Sequence, residues 1–481
     1  MNGEVYEIAS AKALAFPRAA APYYPTSYEF AEAAFAYTAR VDFLYVYYAV
    51  APFIAGVLGV LGLILCLRFL GVSVNQAACS VLVIVPLTLL LGETHRSLGN
   101  VTLMRVFQSK FAFFVFGLPF FVGASIAYFR NKSWYTWTCL GTLALAFGGM
   151  TTSALVMLPL LALLLAGAWW LVHIKRRLHL GYLLVYGASL FPVIVFAIDY
   201  RRYAAAWVKY GAPANSWFPA SFWGQFDLVY TSGVAPISLV LLAATLSICL
   251  YKAKENAFIL TWFALAVLAL LNPVTAPWIM QHLTTENIYW RLFYLLPAPL
   301  LGGVAYAQLT DRLTSLKQRQ WLACSLSMVL IGLLFVIPTS TLRSANGTTI
   351  GWPGYTMDAM ATSAKDVLAL SPDGEMLAPV ALAQDMAILS AAHEQIATRA
   401  DFLENVLQNQ HAEYQLRMSA AQYVAGQGGS AADVITILRR NKLSTVVLNK
   451  GALDLSLFKE LKAQNFRVAG QVNDWLVYVR S

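Results

Sequence analysis

The chain has 481 residues, of which 59% are hydrophobic and 12% charged, and a formal net charge of +9. With a mean hydropathy of +0.61, this composition excludes an ordinary soluble protein. The positive excess does not point to nucleic acid: it sits in short basic turns between apolar runs, and the stretch from Leu342 onward is close to neutral.

Taken from the N-terminus, Met1 to Ala39 reads as two amphipathic stretches, Glu4–Phe16 and Tyr28–Thr38, broken by PRAAAPYYPTS. Glu4 and Glu7 fall on one helix face, and Glu29 and Glu32 repeat that spacing. An alanine- and tyrosine-rich helix pair of this kind suits the membrane interface. A bilayer core needs about 20 apolar residues per helix. The segments that qualify are Val46–Leu70, Ser73–Leu91, Phe111–Phe129, Ser133–Gly149, Thr151–His173, Leu178–Ile198, Val234–Leu250, Ala257–Leu271, Arg291–Leu309 and Trp321–Ile337. Pro52, Pro86, Pro119, Pro159 and Pro192 fall inside these segments and are each expected to kink or break a helix. Cys66, Cys79, Cys139, Cys249 and Cys324 all lie in apolar runs without a CxxC pair, which argues against disulfides and structural zinc.

Short basic turns recur at every second connection: Arg68, Arg130/Lys132, Lys175/Arg176/Arg177, Lys252/Lys254 and Arg312/Lys317/Arg319. Because Lys/Arg-rich loops stay cytoplasmic, the alternate connections are expected outside. These are residues 1–45, Gly92–Lys110, Asp199–Gly233, Asn272–Trp290 and everything after Pro338. An outside N-terminus without a signal peptide or preceding helix leaves two expectations: a first transmembrane helix missing from the chain, which is favoured, or delivery of Met1–Arg40 by the spans that follow.

The outer segments carry the candidate functional residues. GETHRSLGNVTLMRVFQSK supplies Glu93, His95, Arg96, Arg105, Gln108 and Lys110, and LNPVTAPWIMQHLTTENIYWRLFYLLP supplies His282, Glu286, Asn287 and Arg291. Outside arginines oppose the positive-inside bias and so need another reason to be there. Guanidinium forks bind phosphate bidentately, and Arg105, Lys110 and Arg291 at membrane depth suit a lipid-linked phosphate or pyrophosphate. The plainer alternative is that they snorkel to ordinary headgroups or pair with Glu93 and Glu286. The aromatics of Asp199–Gly233 suit either sugar stacking or an interfacial belt.

From about Leu342 the pattern changes to alternating short strands and helices. EMLAPV, EQIATRA, LSTVVLNK and the closing pair RVAGQVND and WLVYVRS read as strands. ALAQDMAILSA, DFLENVLQNQHAEYQLRMSAAQYVAG, the serine-capped GGSAADVITILRRN and DLSLFKELKAQNF read as helices. Such alternation makes a small α/β sandwich. No GxGxxG, P-loop, GxSxG or HExxH motif occurs. The fold class is therefore a polytopic α-helical membrane protein of about ten transmembrane helices (residues 46–338), followed by a small soluble, extracytoplasmic α/β domain (342–481).

Four stretches carry a family resemblance: QSKFAFFVFGLPF, GGMTTSALVMLPLLALLLA, LTTENIYWRLFYLLPAP, and the ending TVVLNK…LFKELKAQNFRVAG…WLVYVR. In their order and spacing they resemble the GT-C superfamily of integral-membrane glycosyltransferases, within it the bacterial branch with a trailing extracytoplasmic α/β domain. The resemblance implies a plasma-membrane enzyme of cell-envelope or extracellular glycan synthesis. Its co-substrate is a sugar on polyprenyl phosphate and its partner a glycan acceptor. In the superfamily an acid in the first outer loop is commonly the catalytic base; Glu4 and Glu7 stand there, where Asp is more usual. Arg291, with Arg105 or Lys110, then stabilises the leaving phosphate. Some relatives use a divalent metal and others do not. Two readings of other classes stay open. One is a non-catalytic scaffold for envelope polysaccharide assembly; the other is a transporter or flippase, which calls for mid-span charges and internal repeats.

Overall fold

The structure is a computed structural model, described for residues 27–174, 179–199, 218–311, 313, 315–342, 357–390, 392–397, 403 and 411–481. The chain forms two compact units: in the described residues a helical unit up to residue 342 and an α/β unit from 357. Glu4, Glu7 and the amphipathic stretch around them lie outside the described residues.

The helical unit begins with α1 (Tyr28–Ala39). There follow α2 (Ala51–Phe69), α3 (Val74–Leu89), α4 (Leu118–Asn131), α5 (Trp134–Met150), α6 (Thr152–Val172) and α7 (His179–Ala188), then α8 (Phe191–Asp199). The remainder are α9 (Phe222–Val229), α10 (Val234–Tyr251), α11 (Ala257–Leu265), α12 (Ala276–His282), α13 (Glu286–Tyr289), α14 (Ala298–Thr310) and α15 (Leu316–Leu334). Side-chain caps fix several starts. Ser73 accepts from the Gln76 amide, Ser133 from Thr136, Thr151 from Ser153, and Ser315 forms a reciprocal box with Gln318.

Every apolar segment expected from the sequence contains a helix. Among the described residues five helical stretches are long and apolar enough to cross a membrane: Phe43–Phe69, Ser109–Asn131, Thr152–Val172, Val234–Tyr251 and Glu286–Thr310. The pair α7 and α8, bent by 54°, makes a sixth if taken as one span. The others fall short of that standard: α3 and the stretch Ala257–Leu270 are apolar but shorter, α5 has 17 residues, and α15 opens on the polar LKQRQ.

The prolines divide into two kinds. Pro52 and Pro119 each follow a π-helical turn, Val46–Val50 and Phe113–Gly117, that absorbs the missing amide donor, and Pro192 lies just past the bend between α7 and α8. Pro86 and Pro159 sit inside helices that continue through them.

In the α/β unit, α16 (Ala359–Leu370), β1 (Gly374–Leu377), α17 (Val380–Leu389) and β2 (His393–Gln395) come first. They are followed by α18 (His411–Val424), α19 (Ala431–Arg440), β3 (Leu443–Asn449), α20 (Leu455–Ala463), β4 (Phe466–Val472) and β5 (Trp475–Arg480). The sheet order is β2-β1-β3-β5-β4, with β1 parallel to β2 and β3, and β5 antiparallel to β3 and β4. Strand alternation sends Met376, Val447 and Val477 toward α16 and α17, while Leu377, Val446 and Leu448 meet α18, α19 and α20. Helices on both faces make a three-layer sandwich.

Where backbone packs on backbone, glycine is required. A Cβ on Gly99 would lie 2.3 Å from the Thr88 carbonyl oxygen, whereas one on Gly56 meets nothing within 4 Å. Gly99→Ala should therefore cost about 1–3 kcal/mol of stability through overpacking, and Gly56→Ala nothing. Thermal denaturation of both variants in detergent checks the contrast; equal midpoints would contradict the close approach.

Candidate functional site

Three connections meet at one end of the helical unit. The first, residues 92–108, is folded onto the end of α3 by its own backbone. Gly99 N–H donates to the Leu91 carbonyl at 2.8 Å, Ser97 N–H to Thr94 at 3.0 Å, and Gly92 N–H to Thr339 at 2.8 Å. The Thr94 amide donates to the Ser97 hydroxyl at 2.7 Å, and a π-helical turn, Asn100–Met104, delivers Arg105. The Arg105 guanidinium reaches back to the His95 carbonyl at 3.4 Å.

The other two connections supply aromatic and cationic groups. The Tyr294 hydroxyl donates to the Arg96 carbonyl at 2.5 Å. The Arg96 guanidinium lies 4.7 Å from the Phe218 ring centroid and 5.7 Å from that of Trp290. Arg291 stands 5.3 Å from the same Trp290 ring and donates to the Ser153 hydroxyl, in the first turn of α6, at 2.7 Å. Arg105 and Lys110 lie 4.8 and 5.2 Å from the Phe111 ring. Glu93 accepts from the Thr231 hydroxyl.

These cations act against one another. Burial lowers the Arg96 and Arg105 pKa values, and the Arg96 charge lowers Arg105 further. His95 is held below the usual imidazole range by burial and then by Arg96, Arg105 and Lys110, so it is neutral at pH 7. Among the described residues neither Arg96 nor Arg105 has a carboxylate within ion-pair distance. Like charges partly removed from water are costly, and an anion among them relieves the cost.

Next to the cluster the lining turns apolar. A cavity of about 150 Å³ has Leu98, Thr102, Tyr230 and Tyr294 in its wall and runs on to Pro119, Leu161 and Trp262. A larger one of about 590 Å³, between α3, α9, α10 and α11, shares Ile84, Thr88, Leu98, Tyr230 and Phe293 with it. Cations beside adjoining apolar cavities can take an amphiphile with an anionic head.

Of the residues singled out from the sequence, His95, Arg105, Lys110 and Arg291 converge here, while the Glu93 carboxylate turns to Thr231. Glu286 is near by position, its backbone carbonyl accepting from Gln225 at 2.8 Å. His282 bonds back to the Trp278 carbonyl at 3.0 Å and stacks on that indole. Arg96 and Tyr294 were not preferred from the sequence. Their signals are adjacency to His95, and a spacing of three from Arg291 that returns Tyr294 to the same helical face. No group of three or more His, Cys, Asp and Glu able to hold a metal ion occurs among the described residues. Compared with known proteins, the chain matches no family model and no curated protein.

A second unusual feature lies on α1. This helix buries Glu29 and Glu32, at 5% and 6% exposure, and turns Phe30, Phe35 and Tyr37 outward, the reverse of the usual arrangement. Its start is fixed by Ser27, whose hydroxyl donates to the Gly149 carbonyl at 3.0 Å. Neither carboxyl oxygen of Glu32 has a hydrogen-bond partner among the described residues. Burial, and then the charge of Glu29, push its pKa up from 4.5 to about 8. Glu32 is therefore protonated in the fold at neutral pH, whereas the unfolded chain ionises near 4.5. Its favourable contribution is complete below pH 4.5 and is lost progressively up to about pH 8, at up to ~1.4 kcal/mol per pH unit. Glu32→Gln should accordingly melt higher than wild type at pH 7.5 and equally at pH 4.5. A difference of the same size at both pH values would refute the protonated buried carboxyl.

Proposed function

We propose that this chain is a membrane glycosyltransferase acting on a sugar carried by polyprenyl phosphate, on the outer face of the plasma membrane, in cell-envelope or extracellular glycan synthesis. The observation that carries this reading is the gathering of Arg96, Arg105, Lys110 and Arg291 on aromatic rings beside an apolar cavity. A polyprenyl phosphate has the matching chemistry, a long apolar chain ending in an anion. All ten helical segments cross the membrane in this reading, and the α/β unit is extracytoplasmic. The positive-inside rule then puts the cation cluster outside and the basic turns inside. At the inner turns, Lys252 meets Asp311 at 3.1 Å and Gln76 reaches the same carboxylate at 2.7 Å, tying three short connections together.

The chemistry follows from charge development. An acceptor hydroxyl attacks the anomeric carbon of the sugar, the bond to the phosphate oxygen breaks, and negative charge grows on the leaving lipid phosphate. Guanidinium groups already fixed around that position stabilise the charge without reorganising. A carboxylate removes the hydroxyl proton; by resemblance Glu4 or Glu7 takes that role.

Retention of polyprenyl phosphate by the protein in nanodiscs, followed by native mass spectrometry, tests the reading. Wild type should retain the lipid, and Arg105→Ala and Arg291→Ala should each weaken retention roughly tenfold, as for loss of one charge-assisted fork. Undiminished retention in both variants would reject the assigned site.

A further inference from the structure

Of the five helical stretches long and apolar enough to cross a membrane, α10 is the least packed: 11% of it is buried, against 33–72% of the other four. Its buried residues are Val234 in the first turn and Cys249 in the last. Both ends are fastened. Thr231, just before the helix, donates its hydroxyl to Glu93. At the other end Asn256 donates to the Cys249 carbonyl at 2.8 Å, and Lys252 to Asp311 at 3.1 Å. Between these fastenings no residue of the helix is buried, and the cavity of about 590 Å³ lies behind it. Leu241 and Leu242 of α10 face Leu87 of α3, Phe263 of α11 and Gly302 of α14 across that space. The cavity reaches the outside of the bundle at Trp223 and Leu239, which are 63% and 54% exposed.

The walls are mostly apolar, and one hydroxyl in them is unsatisfied. A serine or threonine inside a helix commonly donates to a carbonyl one turn earlier. On α10, Thr245 bonds in this way to Leu242 at 2.9 Å and Ser247 to Ala243 at 2.8 Å. Ser238 does not: its hydroxyl is buried in the cavity wall without a hydrogen-bond partner among the described residues. Leaving it unpaired is costly. Water is a poor remedy, because a buried water needs about three polar partners. The fitting occupant combines an apolar chain with a hydrogen-bond acceptor. That acceptor lies close to the end of the bundle that carries the cations, since Ser238 is only about 6 Å along the helix axis from Val234. An isoprenoid chain has no acceptor below its phosphate. A glycerolipid has one at the right place, because its ester carbonyls sit between the headgroup and the acyl chains. We infer that the space behind α10 is a binding site for a glycerolipid, one acyl chain lying between α10, α3 and α11 and one ester carbonyl accepting from Ser238. The lipid enters sideways from the bilayer, past Trp223 and Leu239. This site is distinct from the lipid-phosphate site proposed above and does not depend on it.

The full chain, delipidated in detergent, would be titrated with lipid and followed by native mass spectrometry. The probes are dioleoylphosphatidylglycerol, its diether analogue, which lacks the ester carbonyls, and geranylgeraniol. Wild type should bind the diester roughly fivefold more tightly than the diether, as for one neutral hydrogen bond, and geranylgeraniol more weakly still. Ser238→Ala should abolish the preference for the diester. Gly302 lines the cavity, and a Cβ there meets only Ile84, at 3.9 Å. Gly302→Phe should therefore fill the space and weaken binding of both glycerolipids by roughly tenfold or more. Val240→Phe, on the exposed outer side of α10, should leave binding unchanged. Equal affinity of wild type for diester and diether would overturn the ester contact and with it the glycerolipid. Geranylgeraniol binding as tightly as the diester would overturn it too and give the cavity to an isoprenoid chain. Equal effects of Gly302→Phe and Val240→Phe would reduce the bound lipid to the layer surrounding any membrane protein and overturn the site.

Discussion

Mutual repulsion among partly buried cations is the constraint around which this end of the molecule is organised. Burial first, and then Arg96, Arg105 and Lys110, depress the proton affinity of His95; burial and then Arg96 depress that of Arg105. Such an arrangement persists only if the surrounding structure holds it. Here the aromatic faces of Phe218, Trp290 and Phe111 do part of that work, because a ring quadrupole attracts a guanidinium or ammonium without neutralising it.

The fold supplies the rest through irregular helix. The π-helical turns Val46–Val50, Asn100–Met104 and Phe113–Gly117 surround the cluster, and the stretch Trp290–Leu295 is a 3-10 helix. Each changes the helical phase by a fraction of a turn and so sets which side chains face the site. The chain between α5 and α6 breaks at a single extended residue, Thr151. That break offers Ser153 to Arg291 and the Gly149 carbonyl to Ser27. One interruption thus positions both a cation and the start of the acidic helix α1.

Much of the fold was legible in order of elements because periodicity and length are local properties. Each apolar run contains a helix, Leu178–Ile198 being bent into two, and among the described residues after 357 strands and helices alternate in the expected order, including the Ser430 cap of α19, with the EQIATRA strand seen only as His393–Gln395. The crossing count was less legible: apolar length alone does not separate a helix that spans from one packed within the protein, and five or six of the ten segments meet the full criterion. The prolines illustrate the same limit. A proline inside a helix costs one backbone hydrogen bond, and whether a π turn or the bundle absorbs that loss depends on neighbours, as Pro119 and Pro159 show in opposite ways.

The sequence by itself nominated Arg105, Lys110 and Arg291, because they are cations in connections other than the short basic turns. It also determined the helix-then-sandwich order, since hydrophobic periodicity is written into neighbouring residues. Only the tertiary structure decided that Arg96 joins them, that Tyr294 lies against its backbone, and that Glu32 faces inward. Those facts depend on contacts between connections nearly 200 residues apart, such as Tyr294 with Arg96. No local pattern encodes a meeting of that kind, because it is set by how whole helices pack and where their ends are brought together.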